Sequence, residues 1–325
     1  MKILYIGEAK TRRLYEDGLV PSHWLYGAVE MEKDGHKVIW AQESTQVLND
    51  LTLIRKNKPD IIFIPNLNIK SHLLLLLFVW FHIIRIPVYA YLHHSPKNGE
   101  GFKSWVYKHS LNSLGHIFFL SELSMKETID RGFITGDKCS VPGWGADREF
   151  YDSVKTSDNG YFVSTGKENR DFDILIEAFR RTGAPLKIMT AKSHAGNDYS
   201  DLENRCKDIP NIEVVLTENS SNVFPEMLEA MAQAKALVCP LRQDRLDYCV
   251  GLSTIADAEG LRKPLIITYN KYHSNDRRVN FTVVETVDDW INAIQVISKS
   301  SFNNYQNVHF SMHQAYEKMK IYMSL

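Results

Sequence analysis

In the stretch Val238–Thr268, VCPLRQDRLDYCVGLSTIADAEGLRKPLIIT, an apolar strand ends in Cys239 and Pro240 and a polar loop follows. Gly251 then opens a helix, and a second apolar strand runs from Pro264 to Thr268. A strand, loop, helix, strand unit of this kind belongs to a parallel α/β sheet, in which ligands sit beyond the carboxyl ends of the strands. The helix start at Gly251, Leu252 and Ser253 offers backbone N–H groups there, and the guest they suit is a phosphate.

Upstream of this unit, residues 161–165 read as a strand that turns at Gly166 into a helix over 171–181. Strands at 186–190 and 212–216 and a helix at 224–234 follow. The first half shows the same alternation, with strands at 2–6, 36–41, 60–65, 87–92, 116–120 and 138–141. Helices are predicted over 22–33, 45–56, 102–114 and 124–131. Such alternation predicts parallel sheets covered on both faces. Residues 142–147 and 155–160 shift to polar and turn-forming types, which places the boundary between a first domain, 1–153, and a second, 154–325. A terminal helix over 312–323, with Ala315, Met319 and Met323 four apart, closes the second domain in sequence and is able to pack on either one.

Composition fits two soluble globular domains. Of 325 residues, 44% are hydrophobic and 24% charged, and a formal net charge of −1 gives no global pull toward nucleic acid or acidic membranes. Cys139, Cys206, Cys239 and Cys249 stand far apart and read as reduced thiols of a cytoplasmic protein. The opening MKILYIG starts a strand at once and leaves no room for a signal peptide. The apolar run 73–84, LLLLLFVWFHII, is shorter than the ~20 residues that span a bilayer. It reads either as a buried helix or as a helix that also touches the inner face of a membrane, or a lipid-linked acceptor.

The turn 164–171, STGKENRD, combines Gly166, which gives a diphosphate backbone room, with Lys167 and Arg170, which can offset the charge of a departing phosphate. Ordinary solvated loop charges are the plainer reading of the same two side chains. Asp171 and Asp173 have the spacing of metal ligands but sit where a helix begins, so capping explains them and no metal is expected.

Three segments, TGKENRDFDILIEAF (165–179), PGWGADREFY (142–151) and GLSTIADAEGLRKPLIIT (251–268), together resemble the family 4 retaining glycosyltransferases of the GT-B fold, most strongly over 138–180 and 236–268. The resemblance implies two Rossmann-like domains facing a cleft, with a nucleotide-sugar donor held by the second and a glycan or lipid-linked acceptor by the first. Donor contacts are implied for Gly166, Lys167 and Arg170, for the backbone of Gly251, Leu252 and Ser253, and for Asp257 toward the ribose hydroxyls. Asp257 stands where the family carries the second of two glutamates eight apart. The first falls on Cys249, whose thiol cannot replace a carboxylate as acceptor, so Asp247 or Asp244 becomes the alternative sugar contact.

At the end of a buried strand, where the family commonly has a histidine facing the reacting sugar, stand His93 and His94. One such imidazole can bond a sugar hydroxyl or assist charge at the anomeric carbon, and His93 is the first choice. The family's glycine-rich loop after the first strand is poorly matched by Gly7 to Lys10. No cofactor or metal is implied, since cations and helix N-termini take the leaving-group role. The implied activity is sugar transfer with retention, in the synthesis of a cell-surface polysaccharide or glycolipid. Its rivals are a nucleotide-sugar-binding scaffold without catalysis, which Cys249 favours, and a GT-B sugar epimerase, for which no acid and base carboxylate pair is evident.

Overall fold

Runs of Ile, Val, Phe and Tyr suit a pleated surface, and where both faces are buried the strands pair in parallel. The computed structural model of the protein describes residues 1–41, 47–97, 101–194, 196–217, 223–274, 281–300 and 311–325. It divides into two units, Met1–Trp144 with Phe310–Leu325, and Gly145–His309.

The sheet of the first unit contains β1 (Lys2–Ile6), β2 (Lys37–Ala41), β3 (Ile61–Ile64), β4 (Val88–Leu92), β5 (His116–Phe119) and β6 (Cys139–Ser140), in the order β2-β1-β3-β4-β5-β6. All its pairings are parallel, with Ile3 opposite both Val38 and Ile61, and Ala90 opposite both Ile64 and Ile117. The order reverses between β1 and β3, and there the loops carrying Gly7 and Pro65 leave the sheet.

In the second unit the strands are β7 (Phe162–Thr165), β8 (Leu186–Ala191), the short hairpin β9 (Ser193–His194) and β10 (Asn197–Asp198), β11 (Ile212–Thr217), β12 (Ala236–Cys239), β13 (Leu265–Thr268) and β14 (Phe281–Val284). Its parallel sheet runs β11-β8-β7-β12-β13-β14. Counting only the strands of this sheet, the order is 3-2-1-4-5-6, the dinucleotide-binding arrangement, and its direction switches between β7 and β12. The core joins Phe162, Leu175, Phe179 and Ile188 to Trp290 and Ile294 of the helix Val287–Lys299. Lys263, 0% exposed, is satisfied by the carbonyls of Ala234 and Ser157, and burial pulls its pKa down to about 8.

Two expectations change. The helix predicted over 22–33 is a 3-10 turn, Ser22–Leu25, and a separate helix, Ala28–Lys33, because Tyr26 and Gly27 both adopt left-handed backbone. The domain break falls at 144/145 rather than 153/154. Helix Arg148–Asp152 goes with the second unit because Tyr151 lies on the helix Leu252–Gly260 and Asp152 pairs with Arg262. The terminal helix Met312–Met323, expected to pack on either unit, crosses back to the first. Tyr91 donates to Met319 Sδ at 3.3 Å, Tyr322 stacks on His116, and Tyr316 and Lys320 both reach Asp34.

Candidate functional site

Two loops of the second unit leave the sheet at its switch point, one after β7 and one after β12, joined by the isolated bridge between Arg170 and Leu241. Gly166 turns the first loop with φ +95°, and a Cβ there would fall 2.5 Å from an Arg170 guanidinium nitrogen. Arg170 is 5% exposed, and its fork is committed to the protein. It donates to the carbonyls of Thr165 (3.2 and 3.4 Å) and Glu168 (2.9 Å), and to the Thr254 hydroxyl at 3.3 Å. It therefore acts as a buried positive charge within the wall of the site. Lys167, half-buried, makes no hydrogen bond or ion pair among the described residues. Asp171 caps the helix that follows by accepting from the Ile174 N–H, as the capping reading expected.

Gly251 opens the helix Leu252–Gly260 with φ +94°, and a Cβ there would press to 3.2–3.4 Å on Ile267, Leu241 and Cys239. The helix has no side-chain cap. Leu252 turns its N–H back to the Cys249 carbonyl at 3.2 Å, whereas the N–H groups of Gly251 and Ser253 have no acceptor among the described residues. Of the three amides predicted to meet a phosphate, two are thus open and one is committed. The strand-end loop is held from behind by Asn270, 0% exposed, whose amide donates to the carbonyls of Tyr248 (3.0 Å) and Val250 (3.1 Å).

Six residues beyond Gly251 on the same helix lies Asp257, 7% exposed, which accepts from the Tyr151 hydroxyl at 2.5 Å. Burial pushes its pKa up to about 7, against the opposing pull of that hydrogen bond and of the Arg170 charge. Tyr151 reaches Asp257 only because residue 260 is glycine: a Cβ at Gly260 would sit 2.2 Å from the tyrosine ring. Cys249 is buried, while Asp247 is exposed and has no partner among the described residues. Asp244 pairs with Arg242 and Arg245.

In the first unit, His93 stands at the end of β4, half-buried, with Nε2 3.1 Å from the Pro65 carbonyl and its ring beside that of Tyr26. A carbonyl only accepts, so Nε2 carries the proton and Nδ1 is left as an acceptor. Burial lowers the His93 pKa to about 4, so the ring is neutral at physiological pH. His94 is exposed. Pro65 and Gly7, the latter with φ +116°, lie at the switch point of this sheet, and a Cβ on Gly7 would touch Pro65 at 3.6 Å.

No protein-family model matches the chain, and no curated protein matches it in sequence. Solved structures do. HepE of Anabaena, crystallised with UDP, superposes with a TM-score of 0.58 at 13% identity, over 100% of both chains. A glycosyltransferase of Rickettsia africae gives 0.62 at 12% identity, over 99% of this chain and 98% of its own. The UDP-GlcNAc 2-epimerase of Neisseria meningitidis, bound to UDP-GlcNAc, gives 0.57 at 9% identity, over 100% of both. The fold is GT-B. Within this GT-B chain, the residues that local sequence patterns missed are Tyr151, Thr254, Gly260 and Asn270. One signal was legible: Asp257 and Gly260 are three apart and share a helix face.

Proposed function

We propose that the protein is a glycosyltransferase that takes a sugar from a uridine diphosphate donor held in the second unit and passes it to a glycan or lipid-linked acceptor. The observation that carries this reading is the buried Tyr151–Asp257 pair, beside the Arg170 charge and two open helix amides, at the switch point of a 3-2-1-4-5-6 sheet. A nucleoside diphosphate needs a carboxylate for its ribose hydroxyls and positive potential for its phosphates, and these residues supply both. UDP in the HepE structure and UDP-GlcNAc in the Neisseria enzyme support uracil as the base.

In this reading, Asp257 accepts from the ribose hydroxyls through the oxygen that Tyr151 leaves. The amides of Gly251 and Ser253 hold the phosphates, and Lys167 meets the charge that grows on the leaving diphosphate as the glycosidic bond breaks. Arg170 stays in the wall as fixed positive potential. His93 contributes a lone pair at Nδ1 to a hydroxyl. Retention and membership of family 4 follow from the sequence resemblance and are part of the proposal, as is metal independence. With lysine and amides in the leaving-group role, chelation with EDTA is expected to leave turnover unchanged.

The test is incubation with a panel of UDP-sugars, followed by analysis of both products. UDP release with the sugar joined to acceptor or water supports transfer, and the Lys167→Ala variant should lower that turnover by ~10²–10³-fold. Sugar recovered with inverted configuration at one ring carbon would instead identify an epimerase. Tight binding without turnover would identify a scaffold.

A further inference from the structure

Helix Leu73–Trp80 turns Leu75, Leu76 and Val79 into the core of the first unit and packs beside helix Phe102–Asn112. Its other face is apolar too. Leu74 is 49% exposed, and just beyond the helix Phe81 and Ile83 are each 63% exposed. On the neighbouring helix, Phe102 is 78% and Trp105 47% exposed. Rings link the two helices: Phe81 stacks on Trp80 at 4.8 Å, Trp80 meets Trp105 at 5.2 Å, and Trp105 stacks on Phe102 at 5.6 Å. Isolated exposed hydrophobics are ordinary, but a linked row of four rings is a surface that water does not favour.

Charge identifies what covers it. Residues 61–121 hold five Lys and Arg against a single acidic residue, in a chain whose formal net charge is −1. Three of these cations, Lys70, Arg85 and Lys103, are exposed in or beside the two helices. Aromatic rings that enter the headgroup layer, ringed by lysine and arginine that meet anionic lipid, are the chemistry of an interfacial surface. No helix among the described residues is long and apolar enough to cross a membrane, so this face would lie on the bilayer rather than span it. We infer that the row of Phe81, Trp80, Trp105 and Phe102, together with the exposed Lys70, Arg85 and Lys103 of the same stretch of chain, docks the first unit on an anionic lipid surface. This stands apart from donor binding, since docking needs no nucleotide.

The experiment is co-sedimentation of the full chain, without nucleotide, with vesicles of phosphatidylcholine alone or mixed with phosphatidylglycerol. Partition to the mixed vesicles that weakens with added salt is expected. The double variant Phe81→Ser with Phe102→Ser should reduce it by about tenfold or more, and Lys103→Glu should reduce it on mixed vesicles, both with unchanged circular dichroism. Absence of partition to either vesicle, equal partition to both, or a dimer in light scattering that the double variant dissolves would each overturn the inference.

Discussion

Asp257 is a carboxyl group that the fold holds almost entirely out of water. Its folded pKa of about 7 lies above that of an unfolded aspartate, with burial as the first cause, so between about pH 4 and 7 the folded state binds a proton that the unfolded state releases. Stability from this residue is therefore full below about pH 4 and is lost as pH rises to about 7. Asp257→Asn removes that dependence. In chemical denaturation, the stability difference between variant and parent should shift in the variant's favour from pH 5 to pH 7.5, while affinity for UDP falls. A difference constant over that range would mean that Asp257 is ionised throughout. Gly260 is the companion test. Ala at 260 would place its methyl inside the Tyr151 ring, so the ring must leave Asp257 or the helix must move, at a cost of roughly 1–3 kcal/mol in unfolding free energy. Asp257 was singled out by the family resemblance alone, as the position of the second of two glutamates eight apart. Sequence reading could not find Tyr151, whose hydroxyl partner lies 106 positions away, and it offered Arg170 as a diphosphate contact or a solvated loop charge, whereas the fold buries its guanidinium among protein acceptors.

The helix Leu252–Gly260 owes its entry to one backbone angle. Gly251 at φ +94° lets the chain leave the polar loop and start the helix with two amides that have no acceptor among the described residues, and its missing Cβ admits Ile267, Leu241 and Cys239. Gly251→Ala should cost roughly 1–2 kcal/mol from the left-handed backbone alone. UDP binding measured by calorimetry should weaken with it, because the amides lose their aim. Elements of this type were legible where the pattern was continuous. The strands of both sheets read clearly because burial on two faces leaves uninterrupted apolar runs, as in Ile61–Ile64 and Leu265–Thr268. The edge strand β14, with Thr282 and Val283 exposed, has no such run, and neither it nor the helix Val287–Lys299 behind it was predicted. A 3.6-residue period could not reveal the break at Tyr26 and Gly27, because only the left-handed turn interrupts it.

At the scale of the whole chain, the first unit is assembled from both ends of the sequence. The C-terminal helix supplies Met319 to Tyr91, Tyr322 to His116, and Tyr316 and Lys320 to Asp34, and Met312, Ala315, Tyr316, Met319 and Met323 are buried in that unit. Removing residues 311–325 should strip this cover and lower the unfolding temperature of the first unit, with its aromatic strand face opened to a hydrophobic dye. The second unit, Gly145–His309, lacks none of its own sheet in such a truncation and should still bind UDP. A chain built this way inverts the usual order of synthesis and folding. As it leaves the ribosome, the second unit can finish its sheet while the first still waits for its closing helix, so the domain that is made first is the one completed last.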